Sequence, residues 1–433
     1  MRGPLLPPLL SARLPFSYGW VVLGVLCCAG FARQGPAVAT LSIFIEPLVH
    51  EFGWSRTALS GAVSLGGLLA AVAAPLIGPM LDRRGSRLVL CAAVLTNGAA
   101  LLLLSLTPSL LVFYLLFCIA RMSWAAPFDL GLYGALNNWF VARRTRASAV
   151  ATLAQQLGLV AMPLLAQVAI LHQGWRAGWL ALGAATLLIG FVPTWLLLVR
   201  RPEDLGLRPD GGIAAPAAPG AASGRPAAEE PAFSRRQAMR TGAFWLLLLY
   251  TVLVYPVQAG VSLHQAPFLI ERGIDPTVAA AIVSVFSAMS AVATVACGVL
   301  PRLPVRYPLA ATGAILSSGV LLMLAVHSAT QGFIAAGVFG FGIGLILTLL
   351  PVAWADYFGR AHFGAIRGIA LPAQVIAQAT GPLLSGALHD LTGNYTSALR
   401  AFAALAALSA VAALLARQPT TKLPLAVARR GSG

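Results

Sequence analysis

A chain of 433 residues that is 58% hydrophobic and only 10% charged, with a mean hydropathy of +0.83, carries more apolar surface than a water-soluble fold can hide. Its formal net charge of +16 would suit a nucleic-acid partner if it were gathered on one domain or arm, but the basic residues are dispersed over short loops, so no such partner is expected. Cys27, Cys28, Cys91, Cys118 and Cys297 all lie inside apolar stretches without metal-ligand spacing, so neither a disulfide framework nor a metal site nor a cofactor is expected.

Apolar stretches long enough to cross a bilayer need about 20 residues each. In chain order they fall at 18–46, 56–79, 88–106, 110–136, 147–171 and 177–199, then at 242–268, 277–300, 307–326, 332–355, 365–388 and 396–416. The expectation is an all-α polytopic membrane protein with twelve transmembrane helices in two six-helix bundles. The first stretch is too long, and too poor in a small-residue cleavage site, for a removable signal peptide. The domain plan is a short N-terminal segment 1–17, a first bundle 18–199, a linker 200–241, a second bundle 242–416 and a tail 417–433. Residues 200–241 are rich in Pro, Ala, Gly and charge, including the run Gly211 to Gly220, and are expected to be a mobile linker.

Arginines set the orientation. Arg2, Arg13, Arg83, Arg84, Arg87, Arg143, Arg144, Arg146, Arg302, Arg306, Arg360, Arg367, Arg417, Lys422, Arg429 and Arg430 fall on one set of loops and tails, together with the linker arginines. The opposite set holds Arg56, Arg176, Arg272 and Arg400. This asymmetry predicts that both termini and the linker are cytoplasmic.

The halves are related. An offset of 220 carries Pro47, Glu51, Gly53, Thr57 and Gly78 onto Pro267, Glu271, Gly273, Thr277 and Gly298. Offsets of 218 and 219 carry Phe140 onto Phe358, Gln156 onto Gln374 and Pro163 onto Pro382. Polar and proline matches in one order argue for duplication, which suits two similar bundles rocking about a site held between them.

The loop Gly78-Pro79-Met80-Leu81-Asp82-Arg83-Arg84-Gly85-Ser86-Arg87, too short to be a domain, makes a tight hairpin between the second and third spans. It resembles the signature of the major facilitator superfamily, G-x-x-x-D-R-x-G-x-[RK], with Gly78, Asp82, Arg83, Gly85 and Arg87 filling every specified position. Within that superfamily the chain is similar to the bacterial monocarboxylate-transporter-like and oxalate/formate-antiporter-like group. The similarity rests on Ser17-Tyr18-Gly19-Trp20, Glu51-Phe52-Gly53-Trp54-Ser55-Arg56, Trp139-Phe140-Val141-Ala142-Arg143-Arg144 and Arg201-Pro202-Glu203-Asp204-Leu205-Gly206-Leu207. Two departures stand out: Ala149 and Ala154 occupy places where the group has glycine, and the eighth stretch holds no acid or arginine. The resemblance implies a gate in the hairpin, with Asp82 set against the start of the eleventh helix, whose N-terminal dipole favours negative charge.

Charges at membrane depth cost about 2.5 to 3.5 kcal/mol each unless they face a cavity or a partner. Arg33 lies midway along the first span and Arg121 midway along the fourth, a pairing suited to an anionic substrate through bidentate guanidinium contacts. The bland alternative for Arg121 is a structural residue satisfied by backbone carbonyls. Asp129, eight residues after Arg121, is expected on roughly the same helix face, about 12 Å toward the cytoplasm. It either carries the coupling proton or neutralises an arginine. Glu46 and Asp356 lie nearer helix ends and read as structural. Gln156, Gln374 and Gln378 either bind substrate or bond helices together, and Tyr255 and Trp354 are candidates to wall the cavity.

No phosphate loop and no nucleophilic triad is present, so neither an ATP-driven pump nor an enzyme is expected. The reading is a monomeric carrier in the cell inner membrane, surrounded by lipid and partnered by protons. It moves a small organic anion, a monocarboxylate, by proton-coupled alternating access. An exporter of drugs or other small molecules is the alternative, with a membrane sensor behind it for want of a cytoplasmic domain.

Overall fold

The computed structural model describes residues 6–211, 231–299 and 303–419. Among the described residues the regular elements are helical, and ten helices are long and apolar enough to cross a membrane. Two further crossings complete twelve. The first is built from two shorter helices, Gly19–Ala32 and Val38–Phe52. The eleventh, Phe363–Thr392, is as long as its neighbours but more polar.

The remaining spans are Arg56–Arg84, Ser86–Leu104, a fourth made of Leu110–Ala125 and Pro127–Trp139, and Arg144–Gln173. The sixth runs Trp175–Ala185, Thr186–Phe191 and Val192–Leu197, its middle piece a wider π-turn. The second half adds Gly242–Glu271, Pro276–Val299, Arg306–Leu324, Ala329–Phe358 and Thr396–Leu415. Several helices outrun the 20-residue windows expected from hydropathy, because capped and charged ends continue beyond the apolar core of each span.

Two interruptions differ from the expected continuous helices, and both have local causes. In the first span Gly35-Pro36 follows Arg33-Gln34. Proline offers no backbone N–H and disfavours helical geometry in the residue before it, so the helix ends at Ala32 and restarts at Val38. A Cβ on Gly35 would sit 2.4 Å from a Leu101 methyl carbon, so the turn also needs a residue without a side chain. In the fourth span Ala126 (φ −117°, ψ −72°) precedes Pro127, and the helix changes direction there.

The internal repeat reappears as backbone geometry. Gly53 ends the first span at φ +66° and Gly273 follows the seventh at φ +83°, left-handed conformations that suit glycine. Each is followed by a polar cap on the next helix. The Ser55 hydroxyl accepts from the Ala58 N–H, and the Asp275 carboxylate accepts from those of Thr277 and Val278. Those two N–H groups hold the Asp275 carboxyl below its usual range.

The halves meet where the second span packs on the eleventh and the fifth on the eighth and tenth. Close approach of the second and eleventh is enforced by small residues. A Cβ on Gly78 would lie 2.1 Å from the Gly364 carbonyl oxygen, and one on Gly368 would lie 2.7 Å from that of Ala74.

The stretch after the sixth span is fixed at its start rather than mobile. Asp210, at φ +61°, accepts hydrogen bonds from the backbone N–H groups of Val141, Ala142 and Arg143 at 3.0, 2.6 and 2.9 Å. These donors lie just before the fifth helix and have no partner within it. The Gly-Ala-Pro run beyond Gly211, and with it most of the expected linker, lies outside the described residues, as do Arg2, Arg302, Lys422, Arg429 and Arg430.

An even number of crossings puts both termini on one face. Reporter fusions before Leu6 and after Gly433 are expected to register the same compartment, and the arginine asymmetry predicts the cytoplasm. Signals from opposite compartments would overturn the crossing number.

Candidate functional site

The break in the first span builds the centre of the molecule. It frees backbone carbonyls at mid-membrane depth, where no water answers them. The Pro36 carbonyl is taken by Arg121 Nη1 at 3.2 Å, and the Gln34 carbonyl by the Thr40 hydroxyl at 2.8 Å. The Gln34 side chain ties neighbouring helices to the break. Its Nε2 donates to the Gln155 carbonyl at 3.3 Å, and its Oε1 accepts from Trp124 Nε1 at 3.1 Å.

Trp124 in turn orders both arginines. The Arg121 guanidinium carbon lies 4.1 Å from the indole centroid and that of Arg33 4.9 Å, with Phe128 at 5.6 Å from Arg33. An aromatic face within about 6 Å attracts a cation, and more strongly when water is excluded. Arg33 is only 7% exposed, and its Nε and Nη1 are sealed from solvent without a hydrogen-bond partner. Arg121 is like it in part: its Nε also lacks a partner, while its Nη1 serves the helix break.

A second cluster lies one level toward the linker face. Arg367 Nη2 is 3.3 Å from Asp129 Oδ2 and donates to Gln374 Oε1 at 3.2 Å. This corrects one expectation: Arg367 falls among the loop arginines by sequence, yet it sits in the first turns of the eleventh helix and is 1% exposed. Asp129 follows the break at Ala126. It occupies the first turn of Pro127–Trp139, where a helix N-terminus favours negative charge, and reaches across to the other half. Tyr255 and Tyr133 are buried beside this pair and interact with it electrostatically.

The other amides are engaged elsewhere. Gln156 donates to Ser290 Oγ at 3.4 Å and Thr294 Oγ1 at 3.2 Å, bonding the fifth span to the eighth. Gln378 donates to Gln258 Oε1 at 3.2 Å on the seventh. Trp354 is buried in an aromatic cluster with Phe244 and Phe358. The structure therefore joins Arg33 and Arg121 through Trp124, and Asp129, Gln374 and Tyr255 around Arg367, while Gln156 and Gln378 bond between helices. Sequence reasoning passed over Trp124 and Gln34, although the Gly35-Pro36 pair signalled the break that positions them.

The hairpin residues close the linker face. Asp82 accepts from the backbone N–H groups of Gly364 and Ala365 at 2.8 and 2.7 Å, capping the eleventh helix from the opposite half. Gly85, at φ +92°, leaves room for Arg200, which donates to the carbonyls of Asp82 and Arg83 at 3.4 and 3.1 Å. Arg87 donates to the Trp195 carbonyl at 2.8 Å.

Around this gate lie further bonds between halves. Buried Arg144, also grouped with the loop charges, meets Asp356 at 2.6 Å. Arg360 donates to the Asn138 carbonyl at 3.0 Å and meets Glu203 at 2.6 Å, and the Ser148 hydroxyl donates to the Thr348 carbonyl at 2.9 Å. These bonds join elements of the two halves and the linker across the linker face.

Two bundles of six around a mid-membrane cluster define a carrier architecture, and the sequence agrees: residues 22–300 and 259–431 match the Major Facilitator Superfamily model, and the chain belongs to that family. Among its relatives is monocarboxylate transporter 11 of Mus musculus, 27% identical over 397 residues that cover 88% of this chain and 83% of that one. Monocarboxylate transporter 3 of Rattus norvegicus is also 27% identical, covering 87% and 75%. Among solved structures, the proton:xylose symporter XylE superposes with a TM-score of 0.69 at 14% identity, covering 91% of this chain and 94% of that one. The human organic anion transporter MFSD10 superposes with a TM-score of 0.66 at 17% identity, covering 92% and 98%. The chain is a multi-pass membrane transporter rather than an enzyme.

Losing the Asp82 cap should favour the state open to the linker face. A cap is worth about 1 kcal/mol, so Asp82→Ala should raise the population of that state about fivefold. Thiol labelling of a cysteine placed at Tyr255 from the linker side measures this, and unchanged labelling in a folded variant would refute the gate.

Proposed function

We propose that the chain is a secondary active transporter of a small organic anion, a monocarboxylate, working by proton-coupled alternating access with the linker face in the cytoplasm of an inner membrane. The observation that carries the proposal is Arg33, buried at the helix break with Nε and Nη1 unpartnered. A buried guanidinium with two nitrogens unanswered is costly, and a carboxylate meets a guanidinium through two parallel hydrogen bonds. Three arginines, Arg33, Arg121 and Arg367, gather near Asp129, which pairs with Arg367 and interacts with Arg33, so a substrate of negative charge is favoured over a neutral one. The similarity to monocarboxylate transporters supports the same substrate class.

In this reading Trp124 holds the two arginines side by side, so that an entering carboxylate meets Arg33 without first ordering it. Asp129 is the proton carrier. Protonating it removes the charge that binds Arg367, loosening a contact between the two halves and coupling proton to conformation. Gln374 keeps a bond to Arg367 when Asp129 is neutral. Tyr255 adjoins the Arg367–Asp129 pair, and Gln156 and Gln378 act on substrate through the positions of the helices they bond.

Arg33→Gln is expected to lose carboxylate affinity by about a hundredfold, the worth of a charge-assisted pair, while the fold is retained. Binding of a carboxylate and of its neutral amide, measured by isothermal calorimetry on purified protein, checks this. Unchanged acid affinity, or a wild-type preference for the amide, would remove the anion reading and leave the transporter. Asp129→Asn is expected to keep exchange of labelled substrate across vesicles but abolish uphill uptake driven by a pH gradient. A gradient response equal to wild type would show that the proton travels elsewhere.

A further inference from the structure

On the outer wall of the first bundle, away from the central site, a groove of about 890 Å³ lies between the third and sixth spans at the linker end. Its rim holds Arg84, Arg87 and Arg200, and its walls include Leu88, Leu95 and Phe191. The short helix Leu6–Arg13 closes the linker end with Pro7 and Pro8. Leu95 lies eight residues beyond Arg87 on one helix, so the apolar wall runs about 12 Å from the cationic rim toward mid-membrane. Cation at headgroup depth and hydrocarbon below it is the polarity of one membrane lipid.

We propose that this groove binds a phospholipid with a negatively charged headgroup. Three guanidiniums at the rim face one acid, Asp204, whose Oδ2 already accepts from the Arg201 backbone N–H. The side-chain Nε atoms of Arg87 and Arg200 are sealed from solvent and have no hydrogen-bond partner, although each residue spends Nη2 on a carbonyl. Trp195 lies with its ring centroid 5.4 Å from the Arg87 guanidinium carbon and is half exposed to the bilayer, the amphipathic side chain expected at headgroup level. Basic pockets between spans at such a depth suit anionic lipid. A free phosphate would meet the rim but leave the apolar wall unused.

The position gives the lipid a consequence. Arg200, which faces the groove, also holds the carbonyls of Asp82 and Arg83, and Asp82 caps the eleventh helix. An anion on Arg200 therefore stabilises the hairpin in the linker-closed arrangement.

The test is thermal unfolding of the full chain in a neutral detergent, titrated with phosphatidylglycerol, phosphatidylcholine or inorganic phosphate. A saturable rise in Tm with phosphatidylglycerol alone is expected. The double variant Arg87→Gln/Arg200→Gln should need about thirtyfold more lipid for half the rise. Ala92→Trp, which fills the exposed wall of the groove and leaves the arginines in place, should abolish the rise without lowering the starting Tm. Equal stabilisation by phosphatidylcholine, an equal effect of phosphate, or a full rise in Ala92→Trp would each overturn the proposal.

Discussion

Inside a bilayer a freed carbonyl or a buried guanidinium N–H must be answered by protein or by a cavity, and Arg33 and the Gln34-Gly35-Pro36 break put both at the same depth. Most of the centre of the molecule follows from that constraint. Arg121 reaches over to the Pro36 carbonyl, Gln34 bonds to two neighbouring spans, and both guanidiniums lie against the Trp124 ring. With the carbonyls satisfied locally, the remaining demand is the Arg33 charge. A soluble protein would hydrate it; here it must meet a partner, a cavity or a ligand, and on the proposed reading that ligand is the substrate.

The legible parts of the sequence were those encoded at short range. The hairpin signature from Gly78 to Arg87 places Asp82 by spacing, and the Asp82 carboxylate does cap the eleventh helix. Arg33 and Arg121 stand out because each interrupts an apolar run. What escaped was encoded at long range or hidden by averaging. Arg367 lies close to a predicted span boundary, where a hydropathy window cannot separate a loop arginine from one buried a turn inside. Its partner Asp129 is 238 residues away. Trp124 looks like any aromatic residue in an apolar stretch until the fold sets two guanidiniums against its ring. The breaks at Gly35-Pro36 and Ala126-Pro127 were written in the sequence, but a span-length window runs over both.

Duplication explains why contacts between the halves come in related pairs, and divergence explains why they are unequal. The second span meets the eleventh through Gly78 against Gly364 with backbone nearly touching backbone. The fifth meets the eighth through Gly298 against Ala149, whose methyl would lie 3.1 Å from an added Cβ, and through the Gln156 hydrogen bonds. One interface is a tight steric contact of glycines capped by a charge, and the other has a side-chain amide where the first has none. Rocking of two such bundles would therefore not be symmetric in energy, since breaking the first exposes the backbone of the eleventh helix's first turn.

The bonds across the linker face are individually weak, and on the proposed reading of alternating access that is a requirement rather than a defect. Arg360–Glu203 is partly exposed on both sides, so it contributes about 0 to 1 kcal/mol after solvent screening. The Asp82 cap adds about 1 kcal/mol. Arg144–Asp356 joins a buried guanidinium to a carboxylate more than a third exposed, so part of its attraction is offset by hydration. A lock of a few kcal/mol leaves the open state populated at the level of about 0.1 to 10%. A ligand shifts that balance only by the difference in its affinity for the two states. On the proposed reading, a carboxylate on Arg33 and a proton on Asp129 act at adjacent levels of the same cleft. The first reduces the surplus positive charge that holds the empty site apart; the second releases Arg367 from the opposite half. Either alone shifts the equilibrium modestly, and both together are comparable to the lock, so transport is gated by joint occupancy and not by either ligand alone.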